Sequence, residues 1–570
     1  MITRWLPLLL LLTFNTSGFS QVIQRYDVVI SEIMADPTPQ VGLPNAEYIE
    51  LKNVSGRPIN LAGWRISTST STSGAFPSFQ LEADSFVILT TTTQATNFMP
   101  FGKVLAVPSF PALPNDGSVL TLRSNEGRTI HSVEYNMNWY QNELKREGGW
   151  SLEMIDVRNP CSGTTNWKAS TDPSGGTPGK KNSVDAINPD KTPPRLLRTY
   201  SLDSVTIVAV FDEPLDSLFA ATINNYSISN NIAINSASPV APLFSTVILK
   251  LASPILPGTT YTLNVTNLHD CSGNVIGIHN HSKVGSAQEP LPFDIIINEI
   301  LFNPKPNGYD FVEFYNRSNK ILDLSKLSIA NRNSAGSLAS IRKLTTTPYL
   351  LFPGEYIVVT ENPASLSTLY FVPEPSRILT LSLPSYPNTN GTVVLLNEQG
   401  TIVDEVSYSE KWHFDLITNR EGISLERIDP SGPSNNPSNW HSAASTAGYA
   451  TPGYKNSQFL QANRSNIKIE VLPKVFSPDG DGYDDFAIIN YNVNEPGFVA
   501  NITIFDAAGR PVKQLARNNL MGVSGSWKWD GLDDKGSKLS IGTYIIFIEL
   551  HNLQGKKEQI KKTIVLARRL

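Results

Sequence analysis

Six glutamates occupy matching places in two stretches of the chain: Glu32, Glu50 and Glu153, and again Glu299, Glu313 and Glu426. Paired carboxylates are the usual material of acid–base catalysis. Here each lies inside a strand-like run, and neither stretch keeps a histidine, cysteine or lysine beside them. The pattern predicts structural hydrogen bonding rather than proton transfer to a substrate. A second carboxylate group, Asp479, Asp481, Asp484 and Asp485, sits in one loop, VFSPDGDGYDD. It offers the hard oxygen ligands that calcium takes. An EF-hand loop starting at Asp479 would need Gly sixth and Glu twelfth, where the chain has Asp484 and Asn490. A turn capped by Asp side chains is the better reading, with calcium the only cofactor suggested.

Other side chains offer less. Trp139, Trp150, Trp167 and Trp440 could form a sugar-stacking face. Trp167 and Trp440 are equivalent positions, which predicts core packing for that pair. Trp139 and Trp150 have no tryptophan read opposite them and remain candidates for an exposed role. The chain has two cysteines, Cys161 and Cys271, too few for a disulfide-rich scaffold or a four-cysteine zinc site. The basic tail Lys556-Lys557, Lys561-Lys562, Arg568-Arg569 reads as edge-strand protection or as a recognition signal. No G-x-S-x-G, H-E-x-x-H, P-loop or C-x-x-C is present, so no enzyme class is indicated.

The elements that must position these residues come from a duplication. Tyr26–Pro39 (YDVVISEIMADPTP) matches Phe293–Pro306 (FDIIINEILFNPKP) at an offset of 267. The match continues through EYIELKN and DFVEFYN, SLEMID and SLERID, Asn166-Trp167 and Asn439-Trp440. It ends where Thr177-Pro178-Gly179 with Lys181-Asn182-Ser183 meets Thr451-Pro452-Gly453 with Lys455-Asn456-Ser457. Within each copy, short β-branched runs such as FVILT and YIVVT alternate with turn signals, and no window shows helical spacing. An all-β fold, a string of four immunoglobulin-like β-sandwich domains, follows. The 570 residues suit several domains. Hydrophobic residues at 40% can fill their cores, and a net charge of −5 argues against nucleic acid as the main partner. The organisation reads as a signal peptide at 1–20, repeat copies at 21–183 and 293–456, a middle unit at 195–284 and a last unit at 467–570. Polar stretches at 183–194, 285–292 and 457–466 read as flexible linkers. The leader has a basic start, an apolar run Trp5–Phe14 and small residues before Gln21. That predicts export with cleavage, the alternative being a membrane anchor.

Both repeat copies resemble the lamin tail domain, an immunoglobulin-like sandwich found also in exported bacterial proteins. The resemblance is carried by ISEIM…P and INEIL…P, EYIEL-N and DFVEF-N, Ile59–Leu61 with Trp64, Leu322–Leu324 with Leu327, and the closing NW…TPG. The middle unit resembles bacterial Ig-like domains of surface-layer proteins, through Phe211–Leu215 (FDEPL), Asn225-Tyr226, Gly258–Val265 and Asp270–Asn274 (DCSGN). The last unit resembles the hook-capping-protein Ig-like fold. It is also similar to C-terminal sorting domains of type IX secretion in Bacteroidetes, which open on a phrase like FSP-GDG-D. The resemblance implies a secreted or cell-surface protein, outer-membrane-associated, with the secretion machinery as a partner of its last domain. It also implies a non-enzymatic role in adhesion or scaffolding toward a cell-surface or extracellular macromolecule. The alternative is an accessory protein binding polysaccharide or extracellular nucleic acid beside secreted hydrolases. No later stretch is long and apolar enough for a transmembrane helix.

The lamin-tail-like copy that carries a cysteine is the one followed by an Ig-like unit that carries another. That placement predicts a Cys161–Cys271 bridge between domains in an oxidising compartment, the alternative being two separate buried thiols.

Overall fold

The computed structural model describes residues 23–460 and 467–568. The signal-peptide reading and part of the third linker lie outside them. In the first copy a six-stranded sheet runs in the order Trp167–Ala169, Leu152–Met154, Val28–Met34, Tyr48–Asn53, Phe86–Thr91 and Val104–Val107. It packs on a three-stranded sheet of Arg65–Ser67, Gly117–Arg123 and Thr129–Asn136 around a core that includes Trp64, Leu120 and Trp167. The second copy repeats the plan, with Ile295–Leu301 at the place of Val28–Met34 and Leu425–Arg427 at that of Leu152–Met154. The middle unit sets four strands against three, and the last sets three against five. Each unit has its own core. The molecule is an all-β chain of immunoglobulin-like sandwiches.

One local irregularity decides where the glutamates go. Side chains alternate across a strand. Val28 and Ile30 point into the core, so strict alternation would send Glu32 there too. A β-bulge between Ile30 and Glu32 inserts one residue, Ser31. The bulge shifts the register by one: Ile33 and Ala35 return to the core, and Glu32 turns to the opposite face. The second copy has the same bulge at Asn298, between Ile297 and Glu299. Both strands are buried along their whole length, because chain also covers the second face. The strand Gly542–His551 of the last unit instead alternates buried and partly buried residues, as a one-sided sheet does.

The linkers are tied down. At the first junction Arg25 donates to the carbonyls of Leu215 (3.2 Å) and Leu243 (3.5 Å) and lies over the rings of Tyr26 and Phe244. Asn274 donates to the carbonyl of linker residue Asp190. At the second, Gln288 pairs as a parallel bridge with Leu322, and Lys283 meets Glu355 at 2.7 Å. Tyr200 packs against Ile321, Leu350 and Phe352. At the third, the Val523 amide donates to the Ser457 carbonyl (2.8 Å), and Ser445 donates to the Leu520 carbonyl (2.7 Å). Phe414 packs on Val499 and Leu520 there. The described linker residues thus differ from the flexible chain expected of polar, Pro-rich sequence. Their polar side chains and backbone find partners in the flanking sandwiches.

Candidate functional site

The six glutamates form two equivalent rows. Glu32 stands directly opposite Glu153 on one side and Glu50 on the other. Glu299 stands likewise between Glu426 and Glu313. All six are fully buried. Cross-strand neighbours of like charge repel, so something must stabilise the row. That role falls to the closing TPG…NS segment of each copy, which crosses the row as a strap of donors. Thr177 donates its amide to Glu32 (2.7 Å) and its hydroxyl to Glu153 (2.9 Å). The Gly179 amide reaches Glu50 (2.6 Å), and the Ser183 hydroxyl and Val184 amide reach Glu153. In the second copy Thr451, Gly453, Ser457 and Gln458 donate to Glu299, Glu313 and Glu426 in the same pattern. Asn182 and Asn456 anchor the strap by donating to two strand carbonyls each. The bulge residues add their own donors, Ser31 to Glu50 and Asn298 to Glu313.

Burial raises Glu32, Glu50, Glu299, Glu313 and Glu426. Glu32 is pushed up to about 7 and Glu299 to about 8, by desolvation first and then by the carboxylate of Glu153 or Glu426. Glu50 and Glu313 also stand well above the usual carboxylate range. The arrangement holds backbone; it presents no carboxylate to solvent. Beside the rows the copies diverge. His131 Nδ1 accepts the Ile30 amide, whereas Asp404 accepts the equivalent Ile297 amide and forms a buried ion pair with Arg427 (2.9 Å). Met154 stands where Arg427 stands, so each copy keeps a balanced pair. Burial lowers His131 to about 4, which keeps it neutral.

The tryptophan expectation needs correction. Trp139 is 5% exposed and stacks obliquely on Trp167 at 5.8 Å. It has a counterpart after all: Trp412 meets Trp440 at 6.2 Å and a similar angle. Both follow a tyrosine by four residues, Tyr135 and Tyr408, a spacing the sequence shows. Trp150 is half-buried under Lys145, whose ammonium sits 4.0 Å from its ring centre.

In the Asp loop the structure brings Asp479, Asp481 and Asp485 together, while Asp484 lies outside that group. Asp485 accepts the amides of Gly480 and Gly482, and Asp481 accepts that of Tyr483. These are turn-capping bonds. A further trio, Asp190, Glu213 and Asp270, converges at the first junction. Burial and the neighbouring carboxylates raise Glu213 to about 8. Sequence reading missed this trio because its members meet only when the linker and the Ig-like unit fold together; DEP and DCSGN were the available signal. Beside it Cys161 and Cys271 face each other in sulfur contact, their Cα atoms 6.3 Å apart, inside the range a disulfide spans.

A lamin tail domain model matches residues 21–137 and 289–410. A type IX secretion signal domain model, CHU_C, matches residues 470–566. The chain carries two lamin tail domains and a C-terminal type IX secretion signal domain. The signal domain marks the protein as exported and surface-associated. Among the described residues, no helix is long and apolar enough to cross a membrane. The lamin tail matches stop short of Glu153, Glu426 and both straps, which the duplication alone reveals. Neither matched model is a catalytic domain. No curated protein matches. Solved structures that match include the N-terminal part of the bacterial S-layer protein SbsC, at 18% identity over 28% of this chain and 44% of that chain, with a TM-score of 0.17. A longer S-layer chain, rSbsC(31-844), matches at 11% identity over 66% of this chain and 54% of that chain, TM-score 0.16. PorZ, a surface component of the type IX secretion system of Porphyromonas gingivalis, matches at 9% identity over 92% and 74%, TM-score 0.16. The chain spans about half the length of the S-layer structures it matches. Scores this low carry no functional argument.

Proposed function

We infer that the protein is a non-enzymatic surface scaffold or adhesion arm. The observation that carries this reading is the use of the six buried glutamates, which are met by the protein's own hydroxyls, side-chain amides and backbone donors. Junctions bonded on both sides suit a body that holds a fixed shape outside the cell. The signal domain serves as the handle for the secretion machinery. Deleting residues 467–570 tests this: the truncated protein should stay in the periplasm. Normal display on the surface after the deletion would overturn the sorting role. Binding of whole cells to surfaces coated with extracellular matrix or neighbouring cells should fall when the gene is removed and return with Glu32→Gln, which leaves the scaffold intact.

A second reading rests on a cleft of about 500 Å³ at the first junction, lined by Trp139, Glu134, Ser162, Asp190, Asp212 and Glu213. Its carboxylates and hydroxyls fit a polysaccharide better than nucleic acid, whose phosphates they would repel. Glycan-array binding by the exported chain, lost on Asp212→Ala, would support it; a blank array would remove it.

A further inference from the structure

We propose that each carboxylate row is a proton-held latch on the segment leading out of its lamin tail domain, so that alkaline conditions loosen the joint to the following domain.

Three carboxylates side by side in a fully buried site cannot all ionise when only neutral groups face them. In the first copy the facing groups are the Tyr48 phenol, which donates to Glu32 (2.7 Å), the hydroxyls of Ser31, Ser151, Thr177 and Ser183, and three backbone amides. The strap lysines turn outward, Lys180 to Asp172 and Lys181 to Asp185. In the second copy the hydroxyls of Ser424, Thr451 and Ser457 and the Asn298 amide face the row, with the phenols of Tyr370 and Tyr454 nearby. Lys305 lies over the Tyr370 ring and Lys455 over Phe459. Arg427 is turned to the other face, where it meets Asp404.

A second observation marks where a proton sits. Glu32 Oε1 accepts three hydrogen bonds, yet Oε2, equally buried, has no partner. A charged carboxylate oxygen left bare in the interior costs more than a neutral hydroxyl in the same place. The raised affinities of Glu32 and Glu299 for protons agree with this.

The straps are also the exits. After Val184 the first continues to Asn188, which donates to Asp156, and to Asp190, held by Asn274 of the Ig-like domain. The second strap ends on the signal domain itself. Ser457 donates to Glu426 while its carbonyl accepts the Val523 amide, and Gln458 donates both to Ser442 and to Met521. A strap that lifts from Glu426 therefore gives up its own contacts to the signal domain, leaving those of Ser445 and Phe414. The first joint has the Cys161–Cys271 contact in reserve. Among the described residues the third joint has no such sulfur contact, so it is the sensitive one.

Hydrogen exchange on the exported full chain, corrected for intrinsic rates, tests this at about pH 5.5 and about pH 8.5. Peptides covering 177–184, 451–458 and 520–524 should lose about tenfold protection at the higher pH relative to the core strand Thr206–Phe211. Glu32→Gln and Glu299→Gln should each abolish the loss in their own strap. Equal protection at both pH values would overturn the latch, as would a loss that persists in the folded Gln variants. If a variant does not fold, the wild-type comparison decides alone.

Discussion

Glu32 and Glu153 are neighbours in one row, yet their oxygens are used differently, and this yields opposite expectations for the same substitution. Glu32 accepts through Oε1 alone, so Glu32→Gln keeps an acceptor there and puts its amide where Oε2 has no partner. Glu153 accepts through both oxygens, from Thr177 on one and from Ser183 and Val184 on the other. Glu153→Gln must either turn the Thr177 hydroxyl from donor to acceptor or set its amide against the Val184 N–H, the latter at about 1–3 kcal/mol. Thermal unfolding at about pH 8 should show Glu32→Gln as stable as wild type or more so, and Glu153→Gln less stable. The pH dependence has a definite sign. The folded values of Glu32 and Glu299 are raised above the ordinary 4.5, to about 7 and about 8. Folding therefore takes up protons, and the stability these groups contribute is full below about 4.5 and lost as pH rises through about 7 to 8. Wild type should lose stability across that window, and the Glu32→Gln, Glu299→Gln double variant should lose less.

At the scale of elements, the two copies act as controls for each other. Gly176 precedes the strap; a Cβ there would lie 2.6 Å from the Tyr48 hydroxyl and 2.7 Å from Glu32 Oε1. The second copy has Ala450 at that place and Phe311 opposite, so the missing hydroxyl makes room for the methyl. Gly176→Ala should destabilise the first lamin tail domain by about 1–3 kcal/mol, and adding Tyr48→Phe should recover part of it. If the pair is no better than the single variant, the packing account fails. The same elements mark how far sequence reaches. Strands such as Tyr356–Thr360 were legible because β-branched runs between turns have few other options. The glutamates' structural use was legible from their lack of catalytic company. The strap was visible as a repeated motif, but its target was not: Thr177 meets Glu32 across 145 residues, and only the bulge at Ser31 turns that carboxylate toward it. The Trp139–Trp412 equivalence was legible too, since each follows its tyrosine at the same spacing, but the offset between the copies is 267 at Tyr26 and 273 at Trp139, which hides it from a fixed offset.

Across the whole molecule, cores belong to single sandwiches while the junctions are polar and bonded. The first has the strongest fastening if its thiols join. Closing a loop of 110 residues adds up to about 4–5 kcal/mol by chain entropy. Cys161→Ser with Cys271→Ser should lower the unfolding temperature of the first two domains and free their relative orientation, read as a broadened interdomain distance by spin-label spectroscopy. Maleimide labelling of both thiols in the exported protein would rule the bond out. Fold class was legible at this scale; the fastening of the linkers was not, because a polar, Pro-rich sequence looks the same whether its partners are water or a neighbouring domain.

The straps also impose an order on biosynthesis. The first glutamates of each row are translated long before the segment that covers them: Glu299 waits for Thr451, 152 residues later. Until then the carboxylates can stay wet and ionised, and the sheet that carries them cannot close its second face. A ribosome-stalled or truncated product ending before residue 451 therefore lacks the last piece of its second lamin tail domain as well as the domain that addresses it for export. Completion of the fold and acquisition of the export address fall within the same final stretch of chain, so an unfinished protein is left both open and undelivered.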